Sequence, residues 1–339
     1  MKIIVDCMSG DNAPIEIVKG ALMGANAHDA DVLLVGDEHE IRKIIRESGL
    51  PDRRVSIYHT PDEPVNMDDD PGCVMKEKKD SSMALSLRLL AEGRGDAVIS
   101  AGNTGALFTG ATLIVRKIKG MRRAALGAIV PLGKPMLIVD SGANTDVTSD
   151  HLCDFALMGN LFMTKVMGVE KPKVGLINNG TEEKKGTPLY AETHQKLKTL
   201  DINFIGNIEG RDVPEGVADI IVCDGFTGNI MLKLCEGFGL FIKKTLKDLF
   251  FENIKTKLGA LFVTDNIAKL KKKMDYSEHG GAPFLGISKP VIKAHGSSNA
   301  KSISYCVLQA KNYASSGIID EFAALAAKKK SETETKEND

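Results

Sequence analysis

Short aliphatic runs alternate along this chain with longer segments in which apolar residues recur every three or four positions. The short runs are typical of buried strands, and the longer segments are typical of amphipathic helices. The runs predict strands at Lys2–Val5, Asp31–Val35, Val55–Tyr58, Ala97–Ser100, Ala124–Val130, Met136–Val139, Lys173–Ile177, Asn203–Ile205, Ile220–Cys223 and Pro290–Ala294. The longer segments predict helices that include Ile15–Ala27, Ser81–Ala91, His151–Met167, Pro188–Leu200 and Lys301–Ala314.

This order of elements predicts an α/β fold with a mostly parallel, multi-layer sheet flanked by helices. We assign residues 1–327 to one large α/β domain. Residues 230–273 have a nearly continuous helical pattern, so we expect a protruding helical hairpin with its turn near Gly259. Residues 328–339 are mostly Lys, Glu, Ser and Thr, and we expect a disordered tail there.

Composition narrows the class of protein. The chain of 339 residues carries 44 basic and 45 acidic side chains, so no overall positive field favours nucleic acid as a partner. The six cysteines are scattered and form no C-x-x-C pair, as expected for reduced thiols in a cytoplasm. No apolar run approaches the ~20 residues that a membrane span needs. We therefore expect a cytoplasmic protein.

Six polar loops follow predicted strands, at residues 6–12, 100–105, 140–146, 178–186, 224–229 and 295–299. Ligands of open α/β sheets bind outside the carboxyl ends of the strands. We therefore expect the six loops to lie at the same end of the sheet. Two of them share a spacing: Asp96 and Asp219 are each followed six positions later by Gly-x-Thr-Gly. The repeat predicts two loops that face one crevice.

The loops indicate an anion site rather than a nucleotide or hydrolase site. The sequence has no G-x-x-x-x-G-K-[ST], no G-x-G-x-x-G after the first strand, no G-x-S-x-G and no metal-ligand spacing of histidines. The groups that the loops offer to a ligand are backbone N–H groups, hydroxyls and a few charged side chains, and these are suited to bind a phosphate. The candidate phosphate- and substrate-binding residues are Asp6, Asp11, Ser100, Asn103, Thr104, Asp140, Asn144, Lys185, Asp224, Thr227, Ser297 and Ser298.

Three residues are candidates for catalysis: His295, Lys184 and Asn229. His295 is a titratable ring at the carboxyl end of a strand, and it is suited to act as a general acid. Lys184 lies beside Glu182 and Glu183, where a solvated charge run explains it as well as a function does. We predict neither a metal nor a cofactor.

The motifs together resemble the PlsX-type phosphate acyltransferases of bacterial phospholipid synthesis. The resemblance rests on residues 6–14, 100–106, 179–186, 224–229, 280–286 and 293–298, in that order along the chain. The chain departs from the family pattern at Cys7 and Ser9, where alanine and glycine are usual, and at Glu77 in an otherwise basic loop.

The resemblance implies a reaction in which acyl-[acyl carrier protein] and inorganic phosphate give acyl phosphate and free carrier protein. It also implies a fold similar to those of isocitrate and isopropylmalate dehydrogenases, a homodimer, and peripheral membrane association. The acyl phosphate would pass to a glycerol-3-phosphate acyltransferase.

Two alternatives stay open at this point. A phosphotransacetylase-like enzyme that uses acyl-CoA would need the same crevice chemistry. A non-catalytic membrane scaffold of lipid synthesis would need only the segment at 230–273. An acidic carrier protein requires a basic docking surface, which Lys76–Lys79 or the lysines of 230–273 would supply.

Residues 238–263 predict contact with an anionic membrane surface. Leu249, Phe250 and Phe251 are consecutive, so a helix cannot bury all three, and lysines surround them. Aromatic side chains ringed by lysine are typical of interfacial helices.

Overall fold

The computed structural model describes residues 1–132, 134–273 and 280–338. Eleven strands lie in these residues: β1 (Lys2–Asp6), β2 (Asp31–Gly36), β3 (Val55–His59), β4 (Ala97–Ser100), β5 (Ala125–Leu132), β6 (Lys134–Val139), β7 (Lys173–Asn178), β8 (Asn203–Glu209), β9 (Ile220–Val222), β10 (Ala282–Leu285) and β11 (Val291–Lys293).

Ten α-helices lie in the same described residues: α1 (Ile15–Ala27), α2 (Glu38–Ser48), α3 (Ser82–Ala91), α4 (Thr104–Gly110), α5 (Ser149–Lys165), α6 (Pro188–Leu197), α7 (Gly225–Phe251), α8 (Ile254–Lys273), α9 (Ala300–Ser315) and α10 (Ile318–Asn338). Two short 3₁₀ helices span Pro71–Met75 and Gly210–Asp212, and a π-helix spans Ala111–Arg116.

The strands form one mixed sheet in the order β3-β2-β1-β4-β11-β10-β5-β6-β9-β7-β8. The first five strands of that order are parallel to one another, as are the last four. Between these two blocks, β10 is antiparallel to both β11 and β5, and β5 is antiparallel to β6. The two parallel blocks therefore run in opposite directions.

Helices cover both faces of the sheet. In β1, Ile3 and Val5 share a buried cluster with α1 and α9, whereas Ile4 belongs to a cluster with α3 and α4. The same alternation recurs in β6, where Leu137 packs with α5 and Ile138 packs beneath α7. Successive side chains of a strand point to opposite faces, so each block is buried on both.

The prediction that six polar loops share one end of the sheet is wrong. The loops after β1, β4 and β11 (residues 6–12, 100–105 and 295–299) form a first loop group, at the carboxyl ends of the first block. The loops after β6, β7 and β9 (residues 140–146, 178–186 and 224–229) form a second loop group. The antiparallel β5–β6 pair reverses the second block. Parallel strands need a crossover of a dozen residues or more, and only residue 133 separates β5 from β6.

All ten predicted strands are present, with bounds that differ by a few residues. The sequence did not predict β10, because Pro283 lies in a glycine-flanked motif that is typical of a loop.

The break between α7 and α8 falls at Glu252 and Asn253, not near Gly259. The Asn253 side chain accepts the Thr256 N–H at 3.0 Å, which caps α8, and a lone glycine is tolerated inside a helix.

Helix α10 continues to Asn338, through the segment predicted to be a disordered tail. That segment contains neither Gly nor Pro, and its Lys and Glu residues are good helix formers. In the described part of the chain, no helix is long and apolar enough to cross a membrane.

Candidate active site

Asp6 joins three elements beneath the first loop group. It ends β1, is fully buried, and accepts hydrogen bonds from the Ser82 hydroxyl at 2.5 Å and from the Ser100 hydroxyl at 2.6 Å. Burial raises the pKa of Asp6, and the serine hydrogen bonds oppose that rise only in part. Asp6 and Ser100, both predicted to bind substrate, are thus brought together and bond to each other.

His295 lies two residues beyond the end of β11, on the first loop group. Its Nδ1 atom lies 2.9 Å from Ser297 Oγ and accepts the Ser297 backbone N–H at 3.3 Å. An Nδ1 atom that accepts a hydrogen bond leaves the proton of the neutral ring on Nε2. The side chain is 59% exposed, so Nε2 is open to a ligand.

Helix α7 brings two charged residues to His295. Glu236 Oε1 lies 3.8 Å from His295 Nε2, and Lys233 Nζ lies 2.7 Å from Glu236 Oε2. Asn229, Lys233 and Glu236 are spaced by four and then three residues, which places them on one face of the helix. We call this face the polar stripe of α7.

The polar stripe connects the two loop groups. At its start, Asn229 is exposed and lies over Gly142 of the second loop group, where an added Cβ would be 3.6 Å from the Asn229 side chain. At its end, Glu236 reaches His295 of the first loop group. The polar stripe therefore runs from one loop group to the other, although the groups lie on oppositely directed blocks, and we call the surface along it the crevice.

Several charges set the protonation of His295. Burial is the largest influence and lowers its pKa, while Glu236 acts in the opposite direction. Lys233 and Lys293 lower the pKa further, and Asp11 raises it. The net result is a pKa below the ordinary histidine value.

Lys293 is a buried cation that sequence reasoning missed. The side chain is 7% exposed, and its Nζ donates to the Ala101 carbonyl at 3.2 Å and to the Ala294 carbonyl at 2.5 Å. Burial lowers its pKa to about 8. The available signal was a lysine inside the otherwise apolar strand 290–294. The sequence also pointed to Lys233 and Glu236, because they are the only charged residues in the otherwise uncharged segment 226–242.

One side-chain amide and one backbone hydrogen bond hold the first loop group together. Asn12 donates to the Ser297 carbonyl at 3.1 Å and to the Ser298 carbonyl at 3.2 Å. The Asp11 backbone N–H donates to the Gly296 carbonyl at 2.9 Å. Asp11, Ser297 and Ser298, three of the predicted binding residues, therefore lie together.

Asn103 fixes a neighbouring segment. Its Oδ1 accepts the Ala106 N–H at 3.0 Å, which caps α4, and its Nδ2 donates to the Met67 carbonyl at 2.8 Å and the Asp69 carbonyl at 3.1 Å. Both polar atoms of the predicted phosphate ligand are thus engaged within the protein. Thr104 is the first residue of α4, beside this contact.

Asp140 and Asn144 organise the second loop group. Asp140 is fully buried and accepts the backbone N–H groups of Leu126, Gly142, Ala143 and Asn144. Its Oδ2 also accepts the Asn144 amide at 2.6 Å. Burial raises the pKa of Asp140, with these hydrogen bonds opposing it.

Asp224 caps α7. It accepts the Thr227 N–H at 2.9 Å, the Thr227 hydroxyl at 2.7 Å and the Tyr190 hydroxyl at 2.5 Å. Burial acts to raise the pKa of Asp224, but these hydrogen bonds outweigh it and hold the pKa below its usual value.

Lys184 and Lys185 are exposed on the same loop group, and among the described residues neither bonds to the first loop group.

The Asp…Gly-x-Thr-Gly repeat has a structural explanation. Asp96 accepts the N–H of Lys2 at 2.7 Å, and Asp219 accepts the N–H of Lys173 at 2.8 Å. Each aspartate thus ties its own strand to the first residue of the neighbouring strand. The glycines open helices α4 and α7. The repeat marks two equivalent strand–loop–helix units, and they lie at opposite ends of the crevice rather than face to face.

A mixed sheet covered on both faces, with the polar stripe of α7 joining two polar loop groups, defines an α/β protein with a candidate active site. Among solved structures, the chain is similar to a phosphotransacetylase from Streptococcus pyogenes, with a TM-score of 0.63 at 17% identity over 93% of this chain and 94% of that one. It is also similar to a protein described as a 4-hydroxythreonine-4-phosphate dehydrogenase from Salmonella typhimurium, with a TM-score of 0.53 at 12% identity over 92% and 99%.

Sequence comparison assigns the family. Residues 1–321 match the family model described as "Fatty acid synthesis protein". The chain is 44% identical to a phosphate acyltransferase of Caldanaerobacter subterraneus, over 94% of this chain and 95% of the relative. It is 42% identical to a phosphate acyltransferase of Clostridioides difficile, over 100% of both. The chain therefore belongs to this family of acyltransferases, and the prediction of a PlsX-type phosphate acyltransferase is confirmed.

Proposed function

We propose that this enzyme transfers an acyl group from acyl-[acyl carrier protein] to inorganic phosphate, which supplies acyl phosphate for phospholipid synthesis. A phosphate oxygen attacks the thioester carbonyl, a tetrahedral oxyanion forms, and the carbon–sulfur bond then breaks. The observation that carries the proposal is His295, an exposed imidazole that lies beside Glu236, which pairs with Lys233, in a chain that belongs to this family.

His295 supplies the proton in this reaction. In its protonated form it donates to the departing thiolate, and the phosphate hydrogen released as the acyl phosphate forms restores the imidazolium. Glu236 stabilises that cation. Phosphate itself is anionic near neutral pH, so attack needs alignment more than a strong base.

The remaining predicted residues keep the roles that their positions permit. Asp11, Thr104, Ser297 and Ser298 lie at the His295 end, where we place phosphate. Asn229 opens the polar stripe, and Lys184 and Lys185 lie on the exposed loop at the other end, where they would meet an anionic substrate. Asp6, Ser100, Asn103, Asp140, Asn144, Asp224 and Thr227 hold the loops in place.

Thiol release tests the proposal. The purified protein is incubated with acyl-[acyl carrier protein], with and without phosphate, and free thiol is followed. We expect release that depends on phosphate, with acyl phosphate as the second product. Equal thiol release without phosphate would indicate a thioesterase. If no thiol were released from acyl-[acyl carrier protein], this thioester would not be the substrate. A parallel reaction with acyl-CoA tests the phosphotransacetylase-like alternative, which the crevice chemistry also accommodates.

We also propose a homodimer, on the basis of α7. Phe226, Ile230, Leu234, Phe238 and Phe241 are each more than half exposed, at spacings of four and three residues. This apolar stripe lies on a different face from the polar stripe, and Met231, Leu232 and Cys235 of a third face pack onto the sheet. A second copy of the chain would cover the apolar stripe.

Helices α7 and α8 form, in our proposal, a hairpin whose turn meets a membrane from the cytoplasm. Leu249, Phe251, Ile254, Leu258 and Phe262 are between 56% and 90% exposed around the break. Lys247, Lys255 and Lys257 surround them and are exposed as well. Each such lysine adds about 1 kcal/mol of attraction to an anionic leaflet. The acyl phosphate would leave there for a glycerol-3-phosphate acyltransferase.

Vesicle binding is expected to depend on this turn. Wild type should sediment with anionic vesicles at low salt, and Phe251→Glu/Phe262→Glu should stay in the supernatant because two charges then enter the apolar surface. Ile15→Glu is the matched control, since Ile15 is 51% exposed at the start of α1, where a carboxylate is tolerated. Equal sedimentation of wild type and the double variant would refute the membrane role of the turn.

A further inference from the structure

The segment that joins the π-helix to β5 is strongly basic. Residues 116–123, which we call the basic loop, contain Arg116, Lys117, Lys119, Arg122 and Arg123 and no acid. All five side chains are exposed. The whole chain has a net charge of −1, so this is a strong local concentration of positive charge.

The basic loop is fixed to the fold. Ile118 and Met121 are each 6% exposed and belong to the core cluster beneath α5. The Ile118 N–H donates to the Gly286 carbonyl at 3.0 Å, and Lys117 Nζ donates to the Arg122 carbonyl at 2.7 Å. The apolar side chains point inward and the cations outward, so the loop presents a preformed charged surface.

Some cations of the basic loop pair with other described residues of the protein and others do not. Arg122 lies 3.7 Å from Asp154, and Arg123 donates to Asn144 at 3.5 Å. Among the described residues, Arg116 and Lys119 have no side-chain hydrogen bond or ion pair. Leu113, on the π-helix that leads into the loop, is 54% exposed and precedes Arg116 by three residues.

The loop borders the crevice. Arg123 contacts Asn144, and the Asn144 carbonyl accepts the N–H of Gly225, the first residue of α7, at 2.7 Å. The polar stripe of α7 begins four residues later at Asn229. A partner seated on the basic loop therefore lies near the start of α7, whose polar stripe extends to His295.

The alternative site at Lys76–Lys79 has the wrong charge balance. Residues 68–80 contain five acids, Asp68, Asp69, Asp70, Glu77 and Asp80, against three lysines. Lys78 is moreover paired with Asp69 at 2.6 Å. This segment would repel an acidic protein, whereas the basic loop would attract one.

We propose that the basic loop, with Leu113 at its edge, is the docking surface for the acidic carrier protein that delivers the acyl thioester. The proposal rests on the proposed function, because it concerns the protein partner of that reaction. An exposed apolar side chain next to a cluster of cations fits an acidic surface that also has an apolar patch.

Charge reversal tests this surface. Carrier binding is measured by fluorescence anisotropy without turnover, and thiol release is measured in the same preparations. Arg116→Glu/Lys119→Glu should weaken binding by about tenfold or more and raise the KM for the carrier substrate, with little change in kcat. The salt dependence of binding should also become shallower. The matched control is Lys76→Glu/Lys79→Glu, which should bind as wild type does.

Turnover of acyl-pantetheine, which keeps the thioester but lacks the carrier, checks that the double variant is intact. Wild-type affinity in Arg116→Glu/Lys119→Glu, or a loss confined to the control, would overturn the docking site while phosphate-dependent thiol release still supported the function. If wild type neither bound nor consumed the carrier thioester, the docking proposal and the proposed function would both be wrong.

Discussion

His295→Gln is expected to lower kcat by ~10²–10⁴-fold, because glutamine cannot donate a proton to the leaving thiolate. The KM for phosphate should change little, since an amide at this position still offers a hydrogen bond. Steady-state thiol release at several phosphate concentrations separates the two effects. His39→Gln is the matched control, because His39 is exposed on α2 and has no hydrogen bond or ion pair with a described residue of the candidate site. A kcat within a few-fold of wild type would assign His295 a structural role.

The pH dependence of kcat gives an independent check. Activity that needs the imidazolium falls as pH rises through the pKa of His295, which burial holds below the ordinary value. Glu236 raises this pKa, so Glu236→Gln should lower it and move the alkaline limb of the profile to lower pH. Lys233, Lys293 and Asp11 also face the ring and remain unchanged in that variant. An unshifted limb would mean that Glu236 does not interact with His295 during turnover.

The sequence predicted the strands well because each buried strand is a local aliphatic run. The arrangement of the strands was harder to predict. The reversal at β5 and β6 depends on one short connection, and the alternation of elements elsewhere favours parallel pairing. This single error placed the second loop group at the wrong end of the sheet. The short gap between Val130 and Met136 was the available evidence against a crossover.

The candidate site was predicted in part for a similar reason. His295 and Ser297 are neighbours in the chain, so a loop motif contains both. Glu236 precedes His295 by 59 residues, and only the path of α7 across the sheet brings their side chains together. Polar residues such as Asp140 and Asn103 look like ligands in a sequence, yet they hold the loops by capping backbone N–H groups. Composition does not distinguish these two uses of a carboxylate or an amide.

Gly228→Ala is expected to destabilise the protein by about 3 kcal/mol or more, at the last glycine of the Gly-x-Thr-Gly repeat. A Cβ at Gly228 would lie 1.9 Å from the Asp140 carbonyl oxygen and 2.8 Å from Cys223 Sγ. The first contact is with backbone that Asp140 itself fixes through four N–H groups, so it cannot move aside without losing hydrogen bonds. Helix α7 would shift outward instead, and the polar stripe would move with it.

The matched substitution is Gly259→Ala in α8, where an added Cβ meets nothing within 4 Å. Alanine inside a helix is favoured over glycine by about 0.5–1 kcal/mol, so this variant should be slightly more stable than wild type. Urea unfolding followed by far-ultraviolet circular dichroism compares the midpoints of both variants with wild type. A wild-type midpoint for Gly228→Ala would contradict the close approach of α7 to the Asp140 loop. A lower midpoint for Gly259→Ala would indicate that the turn between the helices lies at Gly259, because alanine destabilises only where the glycine has a non-helical conformation.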